Sequence, residues 1–168
     1  MSDVTGDLGP IVAVRLLELP VDLQSAAQEH MDGLQREFAL LVEGRRQAGE
    51  DQHELPDRLL EVIQALDNRY ASFVARPEAE LEAARQAGKT RIDLVYEVPT
   101  AAAGAARELG SILDQADDYC REGEHLLTLA APEPVARYRR WFIEQFVEQI
   151  AGAEPVSWPE YARSYAGT

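Results

Sequence analysis

The chain is poor in cysteine, in basic residues and in aromatic residues. Its single cysteine, Cys120, excludes a disulfide within the chain and favours a reducing compartment, so we expect a cytoplasmic protein. Lysine and arginine number 16 against 30 acidic residues, and the resulting net charge of −14 repels phosphate backbones. Nucleic acid is therefore not the expected partner, whereas a basic protein surface fits the charge.

Long apolar runs and strong chemical motifs are also missing. No run approaches the ~18 apolar residues of a membrane helix, and the first ten residues, "MSDVTGDLGP", lack the basic and apolar regions of a signal peptide. No glycine-rich phosphate loop, serine-centred elbow or cysteine pair occurs. We therefore predict no membrane association, no catalytic residue, no cofactor and no metal site.

The sequence does contain helical periodicity, interrupted by two runs in which apolar and other residues alternate. Ile11–Leu19 and Ile92–Val98 read as β-strands, and each is stopped by a proline, Pro20 or Pro99. Apolar residues at helical spacing follow each strand and predict four long helices. Gly44 is the expected end of the first helix, and Pro77 is expected to kink or restart the second.

The two halves of the chain share this order of elements. Six residues of the first half recur in the second at one constant offset: Glu18, Pro20, Ala26, Ala27, Glu29 and Leu34 match Glu97, Pro99, Ala105, Ala106, Glu108 and Leu113. We predict a mainly α fold, a four-helix bundle built from two strand-plus-αα-hairpin repeats, with a small two-stranded β ribbon. The predicted organisation is a flexible N-terminus (1–10), one domain (11–152, halves 11–88 and 91–152) and a tail (153–168).

Three histidines are candidates for chemistry. His30 lies within the apolar stripe of the first helix, which favours a polar core or rim residue, or a ligand contact, over an exposed phosphoacceptor. His53 precedes a helix in "HELPDRLL" and is the alternative phosphoacceptor. Glu122 and His125 have the spacing of one di-iron ligand pair, but a second pair is absent, so metal binding is not expected. Cys120 lies on an apolar stripe and is expected to be a buried, inert thiol.

Two segments resemble interaction surfaces. Two basic residues and a tryptophan, Arg139, Arg140 and Trp141, interrupt an acidic chain. Helical geometry turns Trp141 away from the apolar stripe that contains Phe142. An outward tryptophan beside arginine is the residue combination typical of an interface hot spot. The alternative is that Trp141 packs on the second helix or on the tail. The tail carries Trp158, Tyr161 and Tyr165 on one helical face, which favours packing back onto the domain. A homodimer through either surface is a further alternative.

Three stretches, "VRLLELPVDLQSAAQEHMDGLQREFALL", "NRYASFVARPEAELEAARQAG" and "YCREGEHLLTLAAPEPVARYRRWFIEQFVEQIAG", resemble a family of small actinobacterial proteins. The resemblance covers nearly the whole chain. It implies a neighbourhood of anti-sigma-factor ATPases and STAS-domain proteins, and it supplies no site residues. The acidic and glycine-rich boxes of the ATPase fold are absent from the sequence.

Three functions follow as hypotheses. The first is a non-enzymatic regulatory protein of a partner-switching pathway, in which a face near Trp141 binds an anti-sigma ATPase or a STAS protein. The second is histidine phosphotransfer at His30 or His53. The third is the sensing of a small ligand in a pocket between the helix pairs, beside His30.

Overall fold

The fold is mainly α-helical with one small β ribbon, as predicted. The computed structural model describes residues 8–49, 54–123 and 127–166. In chain order the elements are β1 (Ile11–Pro20), α1 (Val21–Ala48), α2 (Glu54–Gln86), β2 (Arg91–Pro99), α3 (Ala102–Glu122), α4 (Glu133–Ile150) and α5 (Trp158–Ala166). The order strand, helix, helix thus occurs twice, and the duplication that would explain it stays a prediction.

The ribbon joins the two halves of the chain. β1 and β2 pair antiparallel, with Val14 opposite Tyr96 and Leu16 opposite Leu94. Alternate side chains of both strands are buried, as the period of two requires. On the other side of β1, the side-chain amide of Gln149 from α4 accepts from the Arg15 N–H and donates to its C=O, both at 2.8 Å. Helical support of this kind is what a two-stranded ribbon needs for stability.

β1 contains a bulge near its end. The register shifts between Leu16 and Leu19, so Leu17 and Glu18 together oppose Asp93. Glu18 has φ 53°, the left-handed region that side chains with a Cβ rarely adopt. The Glu18 N–H donates to Asp93 Oδ1 at 2.8 Å, which anchors the bulge to β2.

We expect Glu18→Gly to leave the free energy of unfolding unchanged or to raise it by up to about 1.5 kcal/mol. Glycine relieves a left-handed conformation that costs roughly 1–2 kcal/mol, against about 0.5–1 kcal/mol of lost chain entropy. The matched control is Glu97→Gly, at an exposed strand position outside the bulge, where only the loss of about 1 kcal/mol applies. Urea unfolding measures both; equal losses would show that the backbone at Glu18 is unstrained.

Two helix boundaries differ from prediction. α1 passes through Gly44 and ends at Ala48, because Gly49 takes the left-handed conformation at φ 69° and its N–H bonds the carbonyls of the last turn. Gly44 costs a helix only about 1 kcal/mol, which is too little to end it. α2 is one helix that runs through Pro77, so of the two expected effects of this proline, a kink or a restart, the restart does not occur. The free-energy cost of the one backbone hydrogen bond that Pro77 removes is smaller than the stabilisation from the helical turns on either side.

The four long helices form a ring of neighbours. α1 packs on α2 and α4, and α3 packs on the same two helices. Apolar residues form two clusters, one beneath the ribbon around Tyr138 and Trp141, the other at the far end around Phe38 and Ile112. α5 joins the first cluster through Trp158 and Tyr161, so the tail folds back as expected and belongs to the same core as residues 11–152. No described helix is long and apolar enough to cross a membrane.

Candidate functional site

A cavity of about 700 Å³ lies between the two apolar clusters. Its walls come from α1, α2, β2, α3 and α4, and its volume is typical of a small-molecule site. The exposed lining residues lie on α1 and α2, so the mouth opens between these two helices: Gln28, Glu29, Asp32, Asp67, Ala71, Glu78 and Arg85. The pocket hypothesised between the helix pairs corresponds to this space.

Small side chains explain why the interior is not filled. Ala27 of α1 and Ala102, Ala105 and Ala106 of α3 all line the cavity. Methyl groups at these positions leave the volume that leucine or phenylalanine would occupy in a close-packed core. The alanine-rich start of α3, which the sequence presents as simple helix propensity, is therefore what opens the cavity.

Aromatic rings form one wall. Tyr96 of β2 lies 5.2 Å from Phe146 and 6.1 Å from Phe142, both of α4, measured between ring centroids. Phe142 in turn lies 6.2 Å from Tyr138. All four residues line the cavity, and we call them the aromatic wall. The rings hold one another in a fixed arrangement, and Phe142, the least buried of the four, offers a ligand an apolar π face.

Two tyrosine hydroxyls in the cavity differ in their hydrogen bonding. The Tyr138 hydroxyl donates to Gln24 Oε1 of α1. The Tyr70 side chain is only 7% exposed, and its buried hydroxyl has no hydrogen-bond partner within the described ranges. A buried hydroxyl without a partner costs roughly 1–3 kcal/mol. Tyr70 is therefore the polar group of the cavity that a ligand could satisfy.

Carboxylates dominate the mouth. Asp67 and Glu78 lie on one face of α2, about three turns apart, and neither forms an ion pair or a hydrogen bond with any residue the structure describes. Desolvation, and then the charge of Asp67, raise the pKa of Glu78. Burial raises the pKa of Tyr96, with a second contribution from the Glu78 charge. Glu78 therefore lies close enough to the aromatic wall for its charge to act there.

His30 holds a structural hydrogen bond, as predicted for a core or rim histidine. Its side chain is 12% exposed, and Nε2 lies 2.8 Å from the carbonyl oxygen of Leu129 and 3.9 Å from Asp117 Oδ1. It also lines the cavity. Phosphorylation at Nε2 would require this contact to break, and His53, the alternative phosphoacceptor, lies outside the described residues.

The segment that His30 holds lies along α1. The Glu37 carboxylate accepts from the backbone N–H groups of Leu127, at 2.6 Å, and Thr128, at 2.7 Å. Burial alone would raise the pKa of Glu37, but hydrogen bonds from the Thr128 side chain and from these N–H groups outweigh it and lower the pKa. The Ala131 N–H donates to Asp117 at 3.1 Å. Together these bonds fix the entry to α4.

The predicted surface of Arg139, Arg140 and Trp141 does not form. Trp141 is fully buried, and its Nε1–H donates to the Val156 carbonyl at 2.8 Å. Of the two alternatives for Trp141, the outward one is wrong and packing on the tail is confirmed, with the Trp158 ring at 5.7 Å. The reason is that the opposite side of α4 is also covered, by β1 and α5. Arg139 is 13% exposed and donates to Asp117 at 2.7 Å and to Asp114 at 3.1 Å. Arg140 alone of the three is exposed.

The remaining candidates do not assemble into a reactive site. Cys120 is buried, and desolvation, followed by the charges of Asp117 and Glu37, raises the pKa of its thiol to about 11. It therefore stays protonated at neutral pH, as an inert thiol does. Among the residues described, no group of three His, Cys, Asp or Glu side chains could hold a metal ion. His125 of the proposed ligand pair falls outside those residues.

Sequence reasoning missed most of the cavity. In the sequence, Tyr70 and Phe142 lie at helical spacing within apolar stripes, and a tyrosine there gives no sign that its hydroxyl lacks a partner. Glu78 follows Pro77 in a stretch that reads as a solvated helix. One signal in the sequence was the excess of alanine in the apolar stripe of α3. Alanine leaves volume unfilled, but whether another helix fills that volume depends on how the helices pack.

No family model, curated protein or solved structure matches this chain. The likeness to actinobacterial proteins of partner-switching pathways therefore stays a prediction. Function has to be argued from the cavity, its aromatic wall and its mouth.

Proposed function

We propose that this protein is a non-enzymatic small-molecule-binding protein, which senses a largely apolar ligand in the cavity between its helix pairs. The observation that carries the proposal is the cavity of about 700 Å³ with the unpartnered Tyr70 hydroxyl in its lining. Apolar cavities with a few placed polar groups are the usual form of ligand sites.

The chemistry of the lining supports binding over turnover. The aromatic wall and the alanines supply contact area, and the Tyr138 hydroxyl is already engaged by Gln24. The single cysteine, Cys120, lies outside the lining and keeps its proton at neutral pH because its pKa is about 11. His30 is committed to the Leu129 carbonyl. Tyr138 and His30 therefore line the cavity with hydrogen bonds that are already made within the protein.

The test is a titration with N-phenyl-1-naphthylamine, a neutral probe that fluoresces in apolar surroundings. We expect saturable binding to the native chain and at least a tenfold loss in Ala106→Phe, which fills the cavity from α3. The matched control is Ala75→Phe, an exposed alanine of α2 outside the cavity lining, which should bind as the native chain does. Thermal unfolding checks that both variants fold. Absence of saturable binding, or equal binding to both variants, would refute the proposal.

We further propose that ligand binding serves regulation through a protein partner in the cytoplasm, of the partner-switching type. This proposal rests on the sequence resemblance and on the acid-rich surface expected from a net charge of −14, which suits a basic partner. Trp141 is not available to such a partner, and Arg140 is the exposed member of the candidate surface. Co-purification of an anti-sigma ATPase or a STAS protein with the native chain is the supporting result.

A further inference from the structure

We infer that the ligand of this cavity is an amphipathic organic cation, with an apolar body that lies on the aromatic wall and a positive charge placed at the mouth by Asp67 and Glu78. The inference rests on the proposed ligand-binding function and names the class of ligand. Three independent features of the site support it: charge, ring geometry and an unused acceptor.

The charges that line the cavity are predominantly negative. Five carboxylates contribute, against two guanidinium groups. Both guanidinium groups are already paired: Arg85 with Glu82, and Arg139 with Asp117 and Asp114. Asp67 and Glu78 have no such partner among the described residues. Asp67 and Glu78 lie roughly 16 Å apart along α2. A cation between them would be attracted by both carboxylates at a distance, whereas an anion would be repelled by both.

The aromatic wall suits the same charge. A cation over the face of a tyrosine or phenylalanine is attracted by the ring quadrupole, and this attraction strengthens where water is excluded. Tyr96 is 4% exposed and Tyr138 is 1% exposed, whereas Phe142 is half-buried, so Phe142 is the ring of the wall with the most open face. The charge of Glu78 contributes to the raised pKa of Tyr96, which places this carboxylate and the aromatic wall in the same part of the cavity.

The Tyr70 hydroxyl provides the third feature. Its oxygen has lone pairs that no described group uses, and it lies on α2 between Asp67 and Glu78 in sequence, on the same wall of the cavity. Neighbouring atoms cover the oxygen, so a protonated amine or an N–H of a larger cation would donate to it through a shift of the Tyr70 side chain toward the cavity. The same helix therefore supplies two charges and one acceptor to a single ligand.

The test compares two probes of the same shape and opposite charge, tetraphenylphosphonium and tetraphenylborate, by calorimetric titration at low salt. We expect the cation to bind at least tenfold more tightly than the anion. The double variant Asp67→Asn/Glu78→Gln should lose about five- to tenfold in affinity for the cation and keep its affinity for N-phenyl-1-naphthylamine. Glu61→Gln, an exposed carboxylate of α2 outside the lining, is the matched control and should change cation affinity by less than twofold.

The double variant is expected to fold. The pKa of Glu78 is raised, which means that its charge is disfavoured in the native state, and the neutral glutamine removes that penalty. Equal binding of cation and anion would overturn the inference, and so would an unchanged cation affinity in the double variant. In either case, saturable binding of the neutral probe would still support the proposed function. Failure of all three probes to bind would overturn both.

Discussion

Trp141→Ala is expected to lower the free energy of unfolding by about 3–5 kcal/mol, the range for truncating a buried tryptophan. The side chain is fully buried between Tyr138 and Trp158, with ring centroids at 5.9 and 5.7 Å. Alanine leaves a cavity under the ribbon and removes the donor to the Val156 carbonyl. The midpoint of thermal unfolding should fall by on the order of 10 °C.

Arg140→Ala, at the next residue, is the matched control. Arg140 is exposed, and such substitutions usually stay within about 0.5 kcal/mol. The pair also separates packing from recognition in any partner-binding assay. If Trp141→Ala loses partner binding in proportion to its loss of stability, the effect reflects packing. If Arg140→Ala loses partner binding while its stability is unchanged, Arg140 belongs to a contact surface. A stable Trp141→Ala protein would contradict the packing described for α4.

Arg139→Met is expected to cost about 3 kcal/mol, because it leaves the Asp117 carboxylate buried without its guanidinium partner. Asp117 is 3% exposed and accepts from Arg139 at 2.7 Å. Methionine keeps much of the apolar stem, so the loss reports the missing charge more than missing volume. Urea unfolding at neutral pH is the measurement.

The matched control is Arg121→Met on the neighbouring helix α3. Arg121 reaches Asp118 at 2.8 Å, nearly the same distance, but the two side chains are 58% and 71% exposed. Exposed pairs contribute about 0–1 kcal/mol because water solvates both partners well. A similar loss in both variants would show that burial of Asp117 does not raise the importance of its ion pair.

The fold was largely predictable because its signals are local. Alternation in Ile11–Leu19 and helical spacing after Pro20 and Pro99 depend on neighbouring residues alone, and they gave the elements and the ribbon. The end of α1 was misplaced because glycine at Gly44 and at Gly49 looks the same in sequence. Only the left-handed backbone of Gly49 distinguishes the one that ends the helix.

The candidate site was less predictable because it depends on what surrounds each helix. A helical wheel assigns one buried face, and Trp141 lies on a second face of α4 that β1 and α5 cover. Arg139 was assigned to a candidate interaction surface because its partner Asp117, 22 residues away in the chain, could not be identified from the sequence. His30 was assigned correctly because its position within an apolar stripe already argues for a hydrogen-bonded role. A cavity is the volume that several helices leave between them, which no single stretch encodes.

The pairing of β1 with β2 has a consequence for biosynthesis. β1 leaves the ribosome first, and its partner strand follows only after α1 and α2 have been made. Until then Val14, Leu16 and Leu19 face no completed core, and the strand edge is open to other nascent chains. Pairing between distant parts of a chain is also slow to form. The first half is therefore the part of this protein that ribosome-associated chaperones should hold during translation, and release should coincide with the emergence of β2.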